Sequence, residues 1–159
     1  MIINILRQVS AALFGLIFIL LAGACTDDPM GGGPPISDIP YIELRAVNPG
    51  NVTAFEDSIV FELYYLDGDG DLGFESADSA VVYLTDTRFP LIEEFHVQPI
   101  APEGSNIIIS GIWQVVLPFT ILQDPLASSE LAIFSLRIRD RAGNSSNTVI
   151  SVPITVIAP

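Results

Sequence analysis

The sequence predicts an all-β antiparallel sandwich over residues 41–159, and three observations predict it. Apolar and polar residues alternate with period two in seven separate segments. No stretch beyond residue 40 sustains a helical period. Turn residues interrupt the alternation roughly every 8–15 positions, the spacing of short strands joined by hairpins and loops.

The first strand, Ile42–Val47, alternates weakly. In the second, Ser58–Leu66, one face carries Ile59, Phe61, Leu63 and Tyr65, while Glu62 lies on the other. The third and fourth, Ala80–Thr85 and Ile92–Val97, are short and weakly patterned. The fifth, Ile107–Leu117, sets Trp113, Val115 and Leu117 on one side, which makes Trp113 a core residue rather than a sugar platform. The sixth, Leu131–Arg139, alternates most clearly: Ala132, Phe134, Leu136 and Ile138 oppose Ser135, Arg137 and Arg139. In the last, Thr148, Ile150, Val152, Ile154 and Val156 share a face, and Pro153 marks an edge strand because proline has no N–H for a ladder. Seven such strands in about 120 residues fit a sandwich of immunoglobulin type.

Ahead of this domain lie a leader and a tether. Arg7 is the only charge in the first 24 residues, and a nearly unbroken apolar run extends from Val9 to Ala24. As a helix that run would rise about 24 Å, short of a ~30 Å hydrocarbon core, so residues 1–24 read as a signal peptide rather than a permanent span. The run closes in Leu21-Ala22-Gly23-Ala24-Cys25, which resembles a lipobox, with Cys25 as the lipid acceptor; Ala22 departs from the leucine usual there. Residues 25–40 form the lipidated cysteine and its linker. Thr26–Pro40 carries three consecutive glycines and four prolines, which cannot pack, and as a coil it would span roughly 20–25 Å.

Charge narrows the function classes. Asp and Glu total 19 against 6 Lys plus Arg, with no lysine, for a net charge of −13 over 159 residues. Such a surface repels phosphate backbones, which excludes nucleic acid as a partner, and it suits cations. Cys25 is the one cysteine, so no disulfide within the chain and no thiolate zinc site is available.

Two loops carry the chemistry that remains. Asp67-Gly68-Asp69-Gly70-Asp71, continuing through Glu75 to Asp78, alternates carboxylates with glycine, so hard oxygen donors can converge. Oxygen donors in that number suit Ca²⁺. Set against an EF-hand loop, acids fill positions 1, 3, 5, 9 and 12, but Leu72 sits where the turn glycine belongs, and no helices flank the loop. The alternative is a solvated acidic turn. The second loop, Asp140-Arg141-Ala142-Gly143-Asn144, reads as a hairpin turn in which Gly143-Asn144 takes positive φ and Asp140 bonds the turn backbone. If successive strands are antiparallel, both loops fall at one pole, with Asp38 and the tether nearby. The expected Ca²⁺ ligands are therefore Asp67, Asp69, Asp71, Glu75, Asp78, Asp140 and Asn144.

Cys25-Thr26-Asp27-Asp28 resembles the acidic export signal of surface lipoproteins in Bacteroidota-type bacteria. With the DGDGDLG and DRAGN loops, the chain resembles small surface lipoproteins of that group that carry a single Ig-like domain. The resemblance implies lipid anchoring in the outer membrane, exposure at the cell surface and the sandwich fold, and it brings no activity.

Nothing in the sequence assembles an enzyme. His96 is the only histidine and reads as a surface strand residue, no nucleophile elbow is present, and there is no lysine for amine chemistry. No phosphate-binding glycine motif or metalloprotease motif occurs either. The resulting expectation is a lipid-anchored envelope protein with a non-enzymatic Ig-like binding or structural module, calcium-stabilised, whose partners are the membrane and a protein or glycan. The alternative is a calcium-dependent glycan-binding accessory protein, which exposed aromatics beside the acidic loop would favour; a bare polar pole would favour the structural role.

Overall fold

The computed structural model describes residues 36–89 and 91–159; the leader, Cys25 and the tether up to Pro35 lie outside the described residues. The described residues form ten strand segments and no helix: β1 (Tyr41–Asn48), β2 (Asn51–Thr53), β3 (Ile59–Asp67), β4 (Val82–Asp86), β5 (Ile92–Phe95), β6 (Ile109–Leu117), β7 (Ser129–Ala132), β8 (Phe134–Ile138), β9 (Val149–Ile150) and β10 (Ile154–Ile157). They pair in the orders β1-β3-β6, β2-β10-β7 and β5-β4-β8-β9.

The ten segments cover the seven expected strands: two of those are interrupted, and β2 is an additional short segment beyond the expected first strand, Ile42–Val47. Pro49-Gly50 separates β1 from β2, Ile133 separates β7 from β8, and Ser151-Val152-Pro153 separates β9 from β10. Ser151 stitches the last two breaks together. Its N–H donates to Phe134 O at 2.8 Å, and its buried hydroxyl accepts from the Phe134 N–H at 2.9 Å. The interrupted strands carry one group of paired strands into the next, so β2-β10-β7 and β5-β4-β8-β9 make one layer opposite β1-β3-β6.

Three expectations need correction. The row from Thr148 to Val156 does not share one face, because Ile150 and Val152 are exposed whereas Ile154 and Val156 are buried. The last strand is an edge only in its first half: β9 is terminal, but β10 lies between β2 and β7. Pro153 falls in the interruption, where no ladder N–H is required, so it does not report an edge. The sandwich is also not wholly antiparallel, because β2, after the Pro49 turn, runs parallel to β10. All other strand pairs are antiparallel.

The core follows from period two. Ile59, Phe61 and Leu63 of β3 are wholly buried, as are Phe134, Leu136 and Ile138 of β8 opposite. Phe61 meets Phe134 edge-on across the layers, with ring centroids 5.3 Å apart. Trp113 faces the same interior from the terminal strand β6. It is half-buried there, stacked on Tyr65 at 4.3 Å.

Candidate metal centre

The two central inward rows both end in an acid. Ile59, Phe61, Leu63 and Tyr65 are followed at the next inward position by Asp67, and Phe134, Leu136 and Ile138 by Asp140. One row comes from each layer, so the two carboxylates face each other at the end of the core. Both are buried, Asp67 at 0% exposure and Asp140 at 1%. The parity expectation holds: the loops after β3 and β8 meet at one pole.

Backbone donors fix one oxygen of each loop carboxylate they reach. The Asp71 N–H donates to Asp67 Oδ2 at 3.0 Å, and the Ala142 N–H donates to Asp71 Oδ2 at 2.9 Å. Asp140 is held by its own turn. Its Oδ1 accepts from the Asn144 N–H at 2.6 Å and its Oδ2 from Asn144 Nδ2 at 2.9 Å, with Gly143 at φ 92° closing the loop. Gly70, at φ 76°, turns the chain between Asp69 and Asp71.

What is left over is three oxygens. Oδ1 of Asp67, of Asp69 and of Asp71 are buried with no hydrogen-bond partner, and they are the only such side-chain atoms among the described residues. Carboxylate oxygens of Asp67, Asp71 and Asp140 all lie within 4.8 Å of one another. Oxygens on one Ca²⁺ at 2.3–2.6 Å can be separated by up to about 5 Å, so the triad has the dimensions of a coordination sphere. These three residues can hold a metal ion.

Electrostatics agree with the geometry. Burial, then the carboxylates of Asp69 and Asp71, push Asp67 up to about 6, against the backbone N–H of Asp71 that favours its charged form. Burial also raises Asp71, with Asp140 and Asp69 adding to it, while the Ala142 N–H and Arg141 work the other way. Arg141 does not neutralise the cluster by a direct bond. Its guanidinium donates to the carbonyls of Gly73 at 3.1 Å and Gly70 at 3.4 Å.

The remaining expected ligands stand elsewhere. Asp69 is outside the triad, although its Oδ1 is buried without a partner and its charge raises both Asp67 and Asp71. Glu75 and Asp78 are exposed, outside it, and Asn144, also outside it, donates its Nδ2 to Asp140. Leu72 explains the departure from an EF-hand course. It is wholly buried in the core, and the Phe74 N–H to Val97 O (2.9 Å) and Ile100 N–H to Leu72 O (3.2 Å) bonds pin the chain to the loop after β5. The chain turns into the protein at that point instead of wrapping an ion.

The same pole receives the tether. Gly68 packs so closely on the Ser37 backbone that a side chain there would collide with it. Asn147 clamps the start of β1, accepting from the Ile42 N–H and donating to Ile42 O, each at 2.9 Å. Beside the acidic loop a cleft of about 600 Å³ is lined by Phe74, Glu75, Ile100, Glu103 and Arg141 among others, and its one aromatic, Phe74, is half-buried against the core. His96 is half-buried and satisfied on both nitrogens: Nδ1 donates to Ser79 O at 2.9 Å and Nε2 accepts from Gln98 at 3.0 Å.

No protein-family model and no curated protein matches this chain. Among solved structures it is similar to a point mutant of the SrpA adhesin from Streptococcus sanguinis, at 14% identity and a TM-score of 0.38. The match covers 78% of this chain and 59% of that one, so the chain spans less than two thirds of that adhesin. A likeness this slight carries no argument about activity or partner.

Proposed function

We propose that this chain is a lipid-anchored protein of the bacterial outer membrane, displayed at the cell surface, whose Ig-like domain is a non-enzymatic structural or binding module completed by Ca²⁺ at the pole where the tether enters. The observation that carries the calcium reading is the set of three buried, unpartnered carboxylate oxygens at the meeting of the two loops. Burying an uncompensated carboxylate is costly, and a divalent cation removes both that cost and the mutual repulsion. All donors are oxygen, which favours a hard cation. Outside the cell, calcium is often millimolar, so even a site of about 10⁻⁴–10⁻³ M would be substantially filled.

The anchor rests on the leader and Cys25, and Ser37, where the tether meets the domain, packs on Gly68 at this pole. A cation there stiffens the junction between tether and domain and leaves the opposite pole free for partners. The glycan alternative gains little, since the cleft beside the acids lacks an exposed aromatic platform.

Two measurements test the proposal. Metabolic labelling with a fatty-acid probe should mark the protein and fail on Cys25→Ala; an unlabelled wild-type product overturns the anchor. Thermal melting with excess Ca²⁺ against chelator should separate the midpoints, and Asp140→Asn should collapse the difference. Coincident wild-type midpoints overturn the calcium role.

A further inference from the structure

The side of the sandwich opposite β1 and β9 is open. β5 ends one layer and β6 ends the other, and among the described residues no strand covers either edge. The segment joining them, residues 96–108, does not return alongside β6. It runs to the acidic pole instead, where Val97, Ile100 and Ile107 bond the Asp67–Asp78 loop.

Two clefts lie along this seam. One of about 280 Å³ is lined by Val82, Phe95 and Val97 from one layer and by Trp113 and Val115 from the other. The second, about 250 Å³, is lined by Leu84, Leu91 and Glu93 on one side and Leu117 and Phe119 on the other, with Phe134 between the layers. Both clefts border β6, the first at Trp113–Val116 and the second from Leu117 onward. Side chains two to four residues apart on one extended strand, at about 3.4 Å per residue, would reach both.

The β6 edge is unprotected. Exposed edges are usually blunted by charge, proline or a bulge. β6 reads Ile-Ser-Gly-Ile-Trp-Gln-Val-Val-Leu, with no charge and no proline, and pairs with β3 over nine residues without a register shift. β5 differs: it carries Glu93 and Glu94, both exposed, and neither enters an ion pair among the described residues. Glu93 pairs with Leu84, whose side chain is buried, so it lies on the groove side of its strand.

The geometry points to strand addition: the seam binds an extended segment of a partner polypeptide, paired to β6, with apolar side chains at alternate positions in the two clefts and a lysine or arginine reaching Glu93. Charge selects this occupant over a second copy of the chain, which would bring another net −13 and no lysine to the acidic rim. The inference is independent of the cation at the pole.

The test uses the full chain and a blocked peptide of about ten residues, alternating valine with threonine and bearing one arginine in place of an end valine. Binding is read by calorimetry, with the scrambled peptide as control. The alternating peptide should bind and the scrambled one should be weaker by about tenfold or more. Alternate N–H groups of a strand point to opposite edges, so two further peptides are N-methylated at odd or at even positions. One set should lose binding and the other keep it. Glu93→Arg should reverse the preference between the arginine peptide and its glutamate counterpart. Absence of binding, equal loss from both methylated sets, or a charge preference unmoved by Glu93→Arg would each overturn the proposal, as would β6-dependent dimerisation that the peptide does not displace.

Discussion

Two clusters of carboxylates, one half-buried around Arg88 and one at the buried pole of Asp67 and Asp140, meet the same electrostatic problem with different means. In the first, the Arg88 side chain is only 10% exposed and bridges Asp86 at 2.6 Å and Glu130 at 2.8 Å. It also donates to Thr120 Oγ1 and Ile121 O. The other Glu130 oxygen accepts the Asp124 N–H at 2.6 Å, and Asp86 Oδ1 accepts from Arg88 itself. The N–H groups of Asp124 and Gln123, with Arg88, hold the Glu130 carboxyl below its ordinary value. Arg88 is raised: burial works against its charge, and the two carboxylates outweigh it. In the second cluster Asp67 and Asp71 are raised, and three oxygens have no partner. The protein supplies a cation to one cluster from its own chain. The other has no such counter-ion among the described residues, and its triad can hold a metal ion.

The strongest way to break this comparison is to remove the resident cation. Arg88→Ala leaves Asp86 and Glu130 without their counter-ion and should destabilise the domain by about 3 kcal/mol. Melting with and without Ca²⁺ checks it: the loss should be the same in both conditions, because calcium serves only the other pole. Calcium restoring the variant would mean that the clusters are not separate.

Next in size is the cation from solution. At a hundredfold excess over its dissociation constant, Ca²⁺ should stabilise the wild-type protein by about 2.7 kcal/mol. Asp67→Asn sharpens the point through a change of sign. With calcium present the variant should melt below wild type, having lost a ligand. With chelator it should melt above, since it no longer buries a repelled charge. A variant less stable in both conditions would make Asp67 a plain structural acid.

Much of the second cluster was legible in the sequence, and the first was hidden. The inward rows Ile59–Asp67 and Phe134–Asp140 can be read at period two, and strand parity brings their ends together, so the facing acids follow from pattern alone. The error in extent came from Leu72: its burial turns the chain before Glu75 and Asp78, and an acid count gives no warning of that. The Arg88 cluster had no local signal, because Glu130 lies 42 residues away and is brought there by the pairing of β4 with β8, into which β7 runs. The strand interruptions at Ile133 and Val152 were equally silent: at Ile133 the inward row continues from Ala132 to Phe134, whereas at Val152 it changes parity, so that Ile150 and Val152 are exposed, Ser151 is buried, and Ile154 and Val156 turn inward. The open seam was invisible for a related reason. It depends on residues 96–108 bonding at the acidic pole, and their own composition does not specify that.

The two clusters should also impose opposite pH dependences. For Glu130 the folded state favours the ionised form, so its contribution is present above the ordinary carboxylate range and is lost as pH falls. For Asp67 the sign reverses. Its folded value of about 6 lies above the ordinary 3.8, so the folded state holds the proton more tightly. Without metal, stability from this site is greatest at low pH and declines as pH rises from about 4 through about 6. The midpoint difference between wild type and Asp67→Asn, followed across pH in chelator, isolates this effect; wild type should fall progressively behind the variant over that window. Calcium binds the ionised form, so adding it should make wild type gain on the variant over the same window.

The smallest expected effect concerns Asn144, which acts on the cation only through Asp140. Its amide bonds Asp140 Oδ2 while its backbone N–H bonds Oδ1. Asn144→Ala removes the first of these and keeps the second, so the carboxylate retains its place but gains freedom to rotate. Partners of this kind typically contribute tenfold or more to metal affinity. The expected result is a calcium affinity lower by about tenfold, ~1.4 kcal/mol, with a smaller change of stability in chelator. Titration of calcium by calorimetry separates this from a structural role, because a merely structural asparagine would lower the chelator midpoint and leave the affinity unchanged.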